Sequence, residues 1–477
     1  MWEIVIGLET HVELSTKSKI FCGCTTAFGG DANTHVCPVC SGMPGTLPVL
    51  NRAVVDSAIK TGITLNCSIT TNCKFDRKNY FYPDLPKAYQ VSQLYVPICC
   101  NGHLDIESKG QKKTIRIREI HMEEDAGKLV HDSLNGGARM DFNRCGVPLL
   151  EIVTQPDFQS EEEVLAYLEK LREILLYLGV SDCKMQEGSL RADINLSVRK
   201  PGEELGVRTE MKNLNSFKAI GRAIKHEAAR QIEILSGGGR ILQETRRWDD
   251  DKGISYGMRS KENAQEYRYF PEPDLLPMHI DDAWLASIKS NLPELAQQKR
   301  ERYVKVYGLS EYEASVLTVH KNISDLFEDI SETSGEPVEA AHLVTGEIMR
   351  LISSTNTLPE GLSLDAKKLS VLISLVSNGK INRNSFKEVI EAVFMSDVEP
   401  QAYIEEKGLM MLNDSDAVME MVNAVLSENP GPVSEYRAGK EKAFGFLMGQ
   451  AMRRLGGTGN PDIVRKALKE KLQGKGI

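Results

Sequence analysis

The stretch Trp2-Glu3-Ile4-Val5-Ile6-Gly7-Leu8-Glu9-Thr10-His11-Val12-Glu13-Leu14 decides how the N-terminal half is read. With period two, Ile4, Ile6, Leu8, Val12 and Leu14 share one face, and Glu9, His11 and Glu13 share the other. That alternation predicts a half-buried β-strand. Glu9 and His11, two positions apart, project side by side, about 7 Å apart at Cα. A solvated surface strand has the same pattern, so one strand does not make a site. The argument for a site is repetition, because later segments carry the same one-sided design.

Ser189 to Arg199 alternates without a fault, with Arg191, Asp193, Asn195, Ser197 and Arg199 on its polar face. A turn at Pro201-Gly202 leads to Val207–Asn213, where Arg208, Glu210 and Lys212 share a face. These read as two strands of an antiparallel sheet, polar towards a cavity and apolar towards a core. Before them, Gly146–Pro156 is a short strand with one carboxylate, Glu151, among apolar residues; such an acid is either paired or functional. In Thr114–Asp125 the apolar phase slips, from Ile115 and Ile117 to Ile120 and Met122. The slip predicts a bulge near 118–119, and it leaves open which of Glu123 and Glu124 faces inward.

Between these strands, Arg77 to Lys87 mixes cations, three aromatics and two prolines, an ordered loop. A lysine such as Lys78 beside aromatic walls can hold a phosphate or stack a base; packing of the tyrosines is the other reading. Cys22-Gly-Cys24 and Cys37-Pro-Val-Cys40 can close a tetrahedral Cys₄ site, which predicts structural zinc without an open position for substrate. Unligated buried thiols are the alternative, because Cys-x-Cys is tighter than the usual knuckle. The other six cysteines show no ligand spacing.

Ser160 and Glu163 have the spacing of a capping box, with a Leu/Val stripe to Leu178 and a stop at Gly179, so a scaffold helix is expected over 160–178. Another begins at Ser216 and ends at Gly237–Gly239. From Pro293 the pattern becomes helical, Gly408–Gly431 reads as a linker or helical junction, and a last small helical unit follows. The fold class is α+β, in three parts: 1–293 around an antiparallel sheet, 294–407 all helical, and 408–477 a small helical tail.

The 477 residues carry a net charge of −9, unevenly spread. Residues 437–477 hold ten Lys and Arg against three acids, +7, which leaves −16 for residues 1–436. An acidic body with a basic tail suits a tail that touches nucleic acid, although a basic solvated helix face has the same charge. There is no apolar run of membrane-spanning length, and the N-terminus enters a strand without a basic flank, so neither a transmembrane helix nor a signal peptide is expected. Ten cysteines in so long a chain fit reduced thiols and a cytoplasmic protein.

None of the Gly-Lys pairs, at 127–128, 379–380, 439–440 and 474–475, continues to Ser or Thr, and no strand-linked GxGxxG is present. A nucleotide would therefore be held by carboxylate-bound Mg²⁺ and side-chain cations. Glu9, His11, Glu123 or Glu124, Glu151, Asp193 and Glu210 supply the metal side, and Lys78, Arg208 and Lys212 the phosphate side.

Val5–Leu14, Cys37–Gly45, Asp76–Asp84, His121–Lys128 and Arg208–Phe217, with Gly439–Gly449 and Gly459–Pro461 near the end, resemble the B subunit of the tRNA-dependent amidotransferases, the GatB family. The resemblance runs the whole length. It implies a catalytic cradle domain, a helical domain and a tail that binds tRNA. It also implies ATP- and Mg²⁺-dependent phosphorylation of the side-chain carboxylate of Glu-tRNA(Gln) or Asp-tRNA(Asn), followed by amidation. The family's site motifs fall on Glu9, His11, Lys78, Glu124, Asp193 and Glu210, with Glu123, Glu151 and Lys212 carried beside them. Of these, Glu9, His11, Glu124 and Glu210 are the implied Mg²⁺ ligands. The chain has no convincing glutaminase signature, neither a placed Cys/His pair nor an amidase-like Ser/Lys pattern. Ammonia is therefore expected from a partner amidase, GatA, with the small partner GatC completing a GatCAB heterotrimer. Two rivals are a non-catalytic zinc-bearing tRNA-binding scaffold and a free-standing ligase for a small carboxylate.

Overall fold

In the computed structural model the described residues are 2–132, 137–260, 264–412, 414–456 and 458–473. Gly457 of the turn at 456–461 and the basic chain end 474–477, with Lys475, lie outside them. The chain divides into two units, Met1–Leu295 and Ala296–Ile477.

The first unit is built on a nine-stranded sheet. Its strands, in chain order, are β1 (Glu3–Glu13), β2 (Ser68–Ile69), β5 (Cys99–Ser108), β6 (Gln111–Glu124), β7 (Pro148–Thr154), β8 (Leu190–Arg199), β9 (Thr209–Lys212), β10 (Glu244–Asp249) and β11 (Ile254–Ser260). The numbers β3 (Asp76–Asn79), β4 (Tyr89–Ser92) and β12 (Phe270–Pro271) belong to a small separate sheet. Across the large sheet the order is β11-β10-β9-β8-β1-β7-β6-β5-β2. All its pairings are antiparallel except β9 with β10. The opening strand therefore lies near the middle, between β8 and β7, and its two faces separate as the period-two pattern requires. Ile6, Leu8, Val12 and Leu14 are buried in the core; Glu9, His11 and Glu13 lie on the other side, half-buried.

Three helices, α1 (Arg52–Thr64), α2 (Glu161–Leu178) and α3 (Phe217–Ser236), contribute to the core on the apolar face. Ser160 caps α2 by accepting from the Glu163 amide, and Gly179 ends it in the left-handed region at φ 66°. The reciprocal half of the capping box is displaced by one residue, because the Glu163 carboxylate accepts from the Gln159 amide instead. The phase slip in β6 is a bulge at Arg118: Val153 pairs with Glu119 and Thr154 with Ile117. Beyond it, Ile120 and Met122 face the core, while His121 and Glu123 turn to the polar face.

The second unit is helical throughout its described length apart from turns, and it holds two separate apolar cores. The first gathers residues from Tyr303 to Ile404 and the second from Val418 to Leu472. The stretch read as a linker or junction at 408–431 contains a helix, Ser415–Glu428, capped by Asp414. Val418, Val422 and Val425 recur at helical spacing and are buried in the second core, so this helix belongs to that core. No helix among the described residues is long and apolar enough to cross a membrane.

Candidate active site

The register of five strands brings the acidic and imidazole groups together. His11 pairs with Glu151 on β7, which pairs with His121 on β6, while Glu9 pairs with Asp193 on β8 and Asn195 with Glu210 on β9. Two groups of ligand atoms result, each with its atoms within 4.8 Å of one another: His11, Glu123 and Glu151, and Glu9, Asp193 and Glu210.

In the first group, His11 Nε2 lies 3.5 Å from Glu123 and 3.6 Å from Glu151. His121 Nε2 lies 2.9 Å from Glu151 and 3.6 Å from Glu123. Burial alone would drive the proton from His121, but Glu151 and Glu123 outweigh it and raise the imidazole to about 10. His11 is raised in the same balance of burial against Glu151. Burial opposes ionisation of Glu151, yet the two histidines hold it well below the ordinary carboxylate range. The group is thus a set of mutually compensating charges, in which a divalent cation could take the place of the imidazole protons.

The second group is all oxygen. Lys212 Nζ bridges it, 2.5 Å from Asp193 and 3.2 Å from Glu210. Burial disfavours the ammonium, but Asp193 and Glu210 raise it well above the usual lysine range. Thr245 on β10 donates to Glu210 at 2.8 Å, and Asn195 donates to Glu9 at 2.9 Å. Behind β9, the fully buried Glu227 of α3 accepts from Thr209 at 2.7 Å and pairs with Arg230, tying this short strand to the helix layer.

Lys78 reaches the first group from the small sheet. Arg77 anchors β3 by a two-pronged pair with Glu272, at 2.6 and 2.8 Å. The neighbouring Lys78 sits 5.0 Å from the Tyr267 ring and 5.8 Å from Tyr80. Burial lowers its affinity for the proton, and Glu123 and Glu151 more than restore it.

Glu124, expected among the metal ligands, is placed apart from both groups. On the opposite side of β6 from Glu123, its carboxylate takes the Lys87 ammonium and the Val91 amide, the latter at 2.9 Å. Arg208 precedes β9 and is exposed; it lines a cavity that also touches Glu9. Glu13 continues the polar row beside Asp125, where burial and that neighbour push its carboxyl up to about 8.

Cys22, Cys24, Cys37 and Cys40 gather separately, again within 4.8 Å, a cluster that can bind a metal. The fully buried Lys19 donates to the His35 carbonyl at 2.7 Å and approaches Cys40 Sγ at 3.6 Å, offsetting thiolate charge. Hydrogen bonding from Cys22 overcomes burial and holds Cys40 down to about 4.

Reasoning from the sequence did not single out His121, Thr245 or Lys19. His121 was findable, since it shares parity with Glu123 once the bulge is placed. Thr245 and Lys19 carry no signal of their own, because their roles depend on neighbours that folding brings to them, Glu210 for Thr245 and Cys40 for Lys19.

The large sheet thus carries two adjoining carboxylate-rich groups that could hold metal ions on one face, with lysines at their edges. Residues 4–286 match the model of the GatB/GatE catalytic domain, and residues 325–472 that of the GatB domain. The chain is 59% identical over 473 residues to the B subunit of the aspartyl/glutamyl-tRNA(Asn/Gln) amidotransferase of Lachnoclostridium phytofermentans, with 99% of each covered. It is 54% identical over 476 residues to the protein of that name from Caldicellulosiruptor bescii, again with 99% of each covered. To that of Ruminiclostridium cellulolyticum it is 51% identical over 468 residues, 98% of this chain and 96% of the relative. The chain belongs to the GatB family.

Proposed function

We propose that this chain is the kinase and amide-forming component of an aspartyl/glutamyl-tRNA(Asn/Gln) amidotransferase, a cytoplasmic ligase of translation. The reading is carried by the two adjoining ligand groups on one sheet face with Lys212 bridging one of them. In the reaction, the side-chain carboxylate of Glu-tRNA(Gln) or Asp-tRNA(Asn) takes the terminal phosphoryl group of ATP, releasing ADP. Ammonia then attacks the carbonyl carbon of the acyl phosphate, phosphate leaves with the bonding pair, and a proton is lost to give the amide.

The all-oxygen group Glu9, Asp193 and Glu210 suits Mg²⁺, and His11, Glu123 and Glu151 form a second candidate site with one nitrogen donor. Bound there, Mg²⁺ would neutralise phosphate charge. The residues themselves provide the rest. Lys212 sits where the acidic wall would otherwise repel an anionic substrate, and Lys78 adds a second cation against Glu123 and Glu151. Tyr80 and Tyr267 flank that ammonium and restrict its access to water. The Cys₄ cluster suits structural Zn²⁺, since four thiols close the coordination sphere.

Ammonia comes from the amidase GatA, with the small protein GatC in the same heterotrimer. The residues from 408 onward, whose core is separate from that of 294–407, form a tail domain that holds the tRNA through phosphate contacts. The measurement that tests this reading is amide formation on mischarged tRNA by the assembled complex, with ATP and an ammonium salt. Glu9→Ala combined with Glu123→Ala should abolish it; a variant that transamidates at the wild-type rate refutes the assignment.

A further inference from the structure

Glu210 and the Thr245 that donates to it stand on β9 and β10, which pair in parallel with α3 as the crossover helix between them. The pairing is short. β9 has four residues, and its register with β10 covers Glu210, Met211 and Lys212. A ligating side chain has to be held within about 0.5 Å of its working place. So short a ladder needs support from another layer.

The support lies behind the sheet. Thr209 precedes Glu210 and Arg246 follows Thr245, so alternation turns both towards α3 when their neighbours face the polar side. Glu227 of α3, fully buried, meets the two of them. Its carboxylate accepts from the Thr209 hydroxyl at 2.7 Å and pairs with Arg246 Nε at 3.5 Å. Arg230 holds the same carboxylate in a two-pronged pair, at 2.6 and 2.8 Å. Gln231, also fully buried, donates to Glu227 at 2.9 Å, to Thr209 at 3.0 Å and to the Leu196 carbonyl of β8 at 3.1 Å. Burial opposes charge on Glu227, but hydrogen bonds from Arg230, Gln231 and Thr209 hold its carboxyl below the ordinary range. Arg246 in turn donates to the Ser255 hydroxyl at 2.9 Å and to its carbonyl at 2.8 Å, on β11. One buried anion is thus linked, directly or through one side chain, to four consecutive strands. A network of this kind fixes geometry when all its members are satisfied.

We infer that Glu227 is a positioning residue for the Glu9, Asp193 and Glu210 group: from behind the sheet it locks the β9–β10 register that sets Glu210 beside Thr245. The lock acts on β8 to β11, whereas His11, Glu123 and Glu151 stand on β1, β6 and β7, so it favours one of the two ligand groups. The inference rests on the reading of these groups as cation sites given above.

The test is Mn²⁺ binding to the assembled complex, followed by electron paramagnetic resonance. A Glu123→Gln background isolates the Glu9, Asp193 and Glu210 group. There, Thr209→Val keeps the side chain's shape, removes the donor to Glu227 and should weaken binding about tenfold. Thr209→Ser should restore it to within about twofold, and Glu227→Gln should weaken it at least as much as Thr209→Val. In a Glu210→Ala background, which reads the His11 group, the same substitutions should leave affinity within about twofold. Leu168→Ala, in the buried core of α2, should lower the melting temperature yet leave Mn²⁺ affinity within about twofold at both groups. Binding within about twofold of the Glu123→Gln parent in both Thr209→Val and Glu227→Gln overturns the inference. Equal losses at the two groups, or the same loss in Leu168→Ala, overturn it too, since the effect is then one of stability alone. If Glu210→Ala removes no Mn²⁺ from the otherwise wild-type complex, the cation reading of this group fails and takes the inference with it. Mn²⁺ that depends on Glu210 but is indifferent to Thr209 and Glu227 sinks the inference alone.

Discussion

The Cys₄ cluster and the carboxylate groups both bring metal-ligating atoms within 4.8 Å, but they are assembled in opposite ways. The four cysteines come from one loop segment between positions 22 and 40, and the buried Lys19 just ahead of it supplies the counter-charge. The carboxylate groups draw on β1, β6, β7, β8 and β9, with ligands as far apart in sequence as Glu9 and Glu210. A local cluster needs only its own loop to close. A cluster spread over five strands needs every register correct, because a slip of one residue turns a strand's polar set to the other face. The first arrangement suits a closed structural site, and the second has an open cavity beside it that Glu9 lines.

Substitutions should separate the two by effect size. The largest loss is expected at Glu9→Ala, which removes a proposed ligand of the open site. Amide formation with ammonium as the nitrogen source should fall about 10²- to 10³-fold, while the thermal midpoint barely moves. Next comes a paired comparison on one strand. Glu123→Gln should weaken Mn²⁺ binding, followed by electron paramagnetic resonance, by about 10- to 100-fold. Glu124→Gln, whose carboxylate faces Lys87 and Val91 instead, should leave Mn²⁺ affinity within about twofold. Equal losses would show that both acids reach the metal.

Thr245→Val removes the 2.8 Å hydrogen bond to Glu210 without touching a ligand, and should cost about tenfold in Mn²⁺ affinity, with Thr245→Ser restoring most of it. The smallest catalytic effect belongs to the closed site. Cys37→Ser should hold kcat within about twofold at a permissive temperature and act on stability instead. Each kcal/mol lost would lower the midpoint by about 2–4 °C for a unit of this size, as calorimetry reads it. A large fall in kcat there, with the midpoint unchanged, would break the contrast between the two clusters.

Much of the scaffold was legible in local patterns. The alternation in 189–199 and the capped stripe of 160–178 describe β8 and α2 nearly residue for residue, because pleat and helical turn are properties of a segment's own backbone. The bulge in β6 showed itself as a phase slip for the same reason. The flanking glycines and the Asn429-Pro430-Gly431 end make 408–431 read as a linker or helical junction, although Val418, Val422 and Val425 have the helical spacing that Ser415–Glu428 adopts.

The sequence by itself determined which side chains could share a face, the Cys₄ spacing and the acidic, imidazole-bearing character of the opening strand. The choice of Glu123 over Glu124 as neighbour of His11, the entry of His121, and the places of Thr245 and Lys19 were decided only by the tertiary structure. The reason is physical. Periodicity along a chain orients a side chain within its own strand, whereas the identity of the neighbour is set by folding, which for β1 joins residues more than a hundred positions apart.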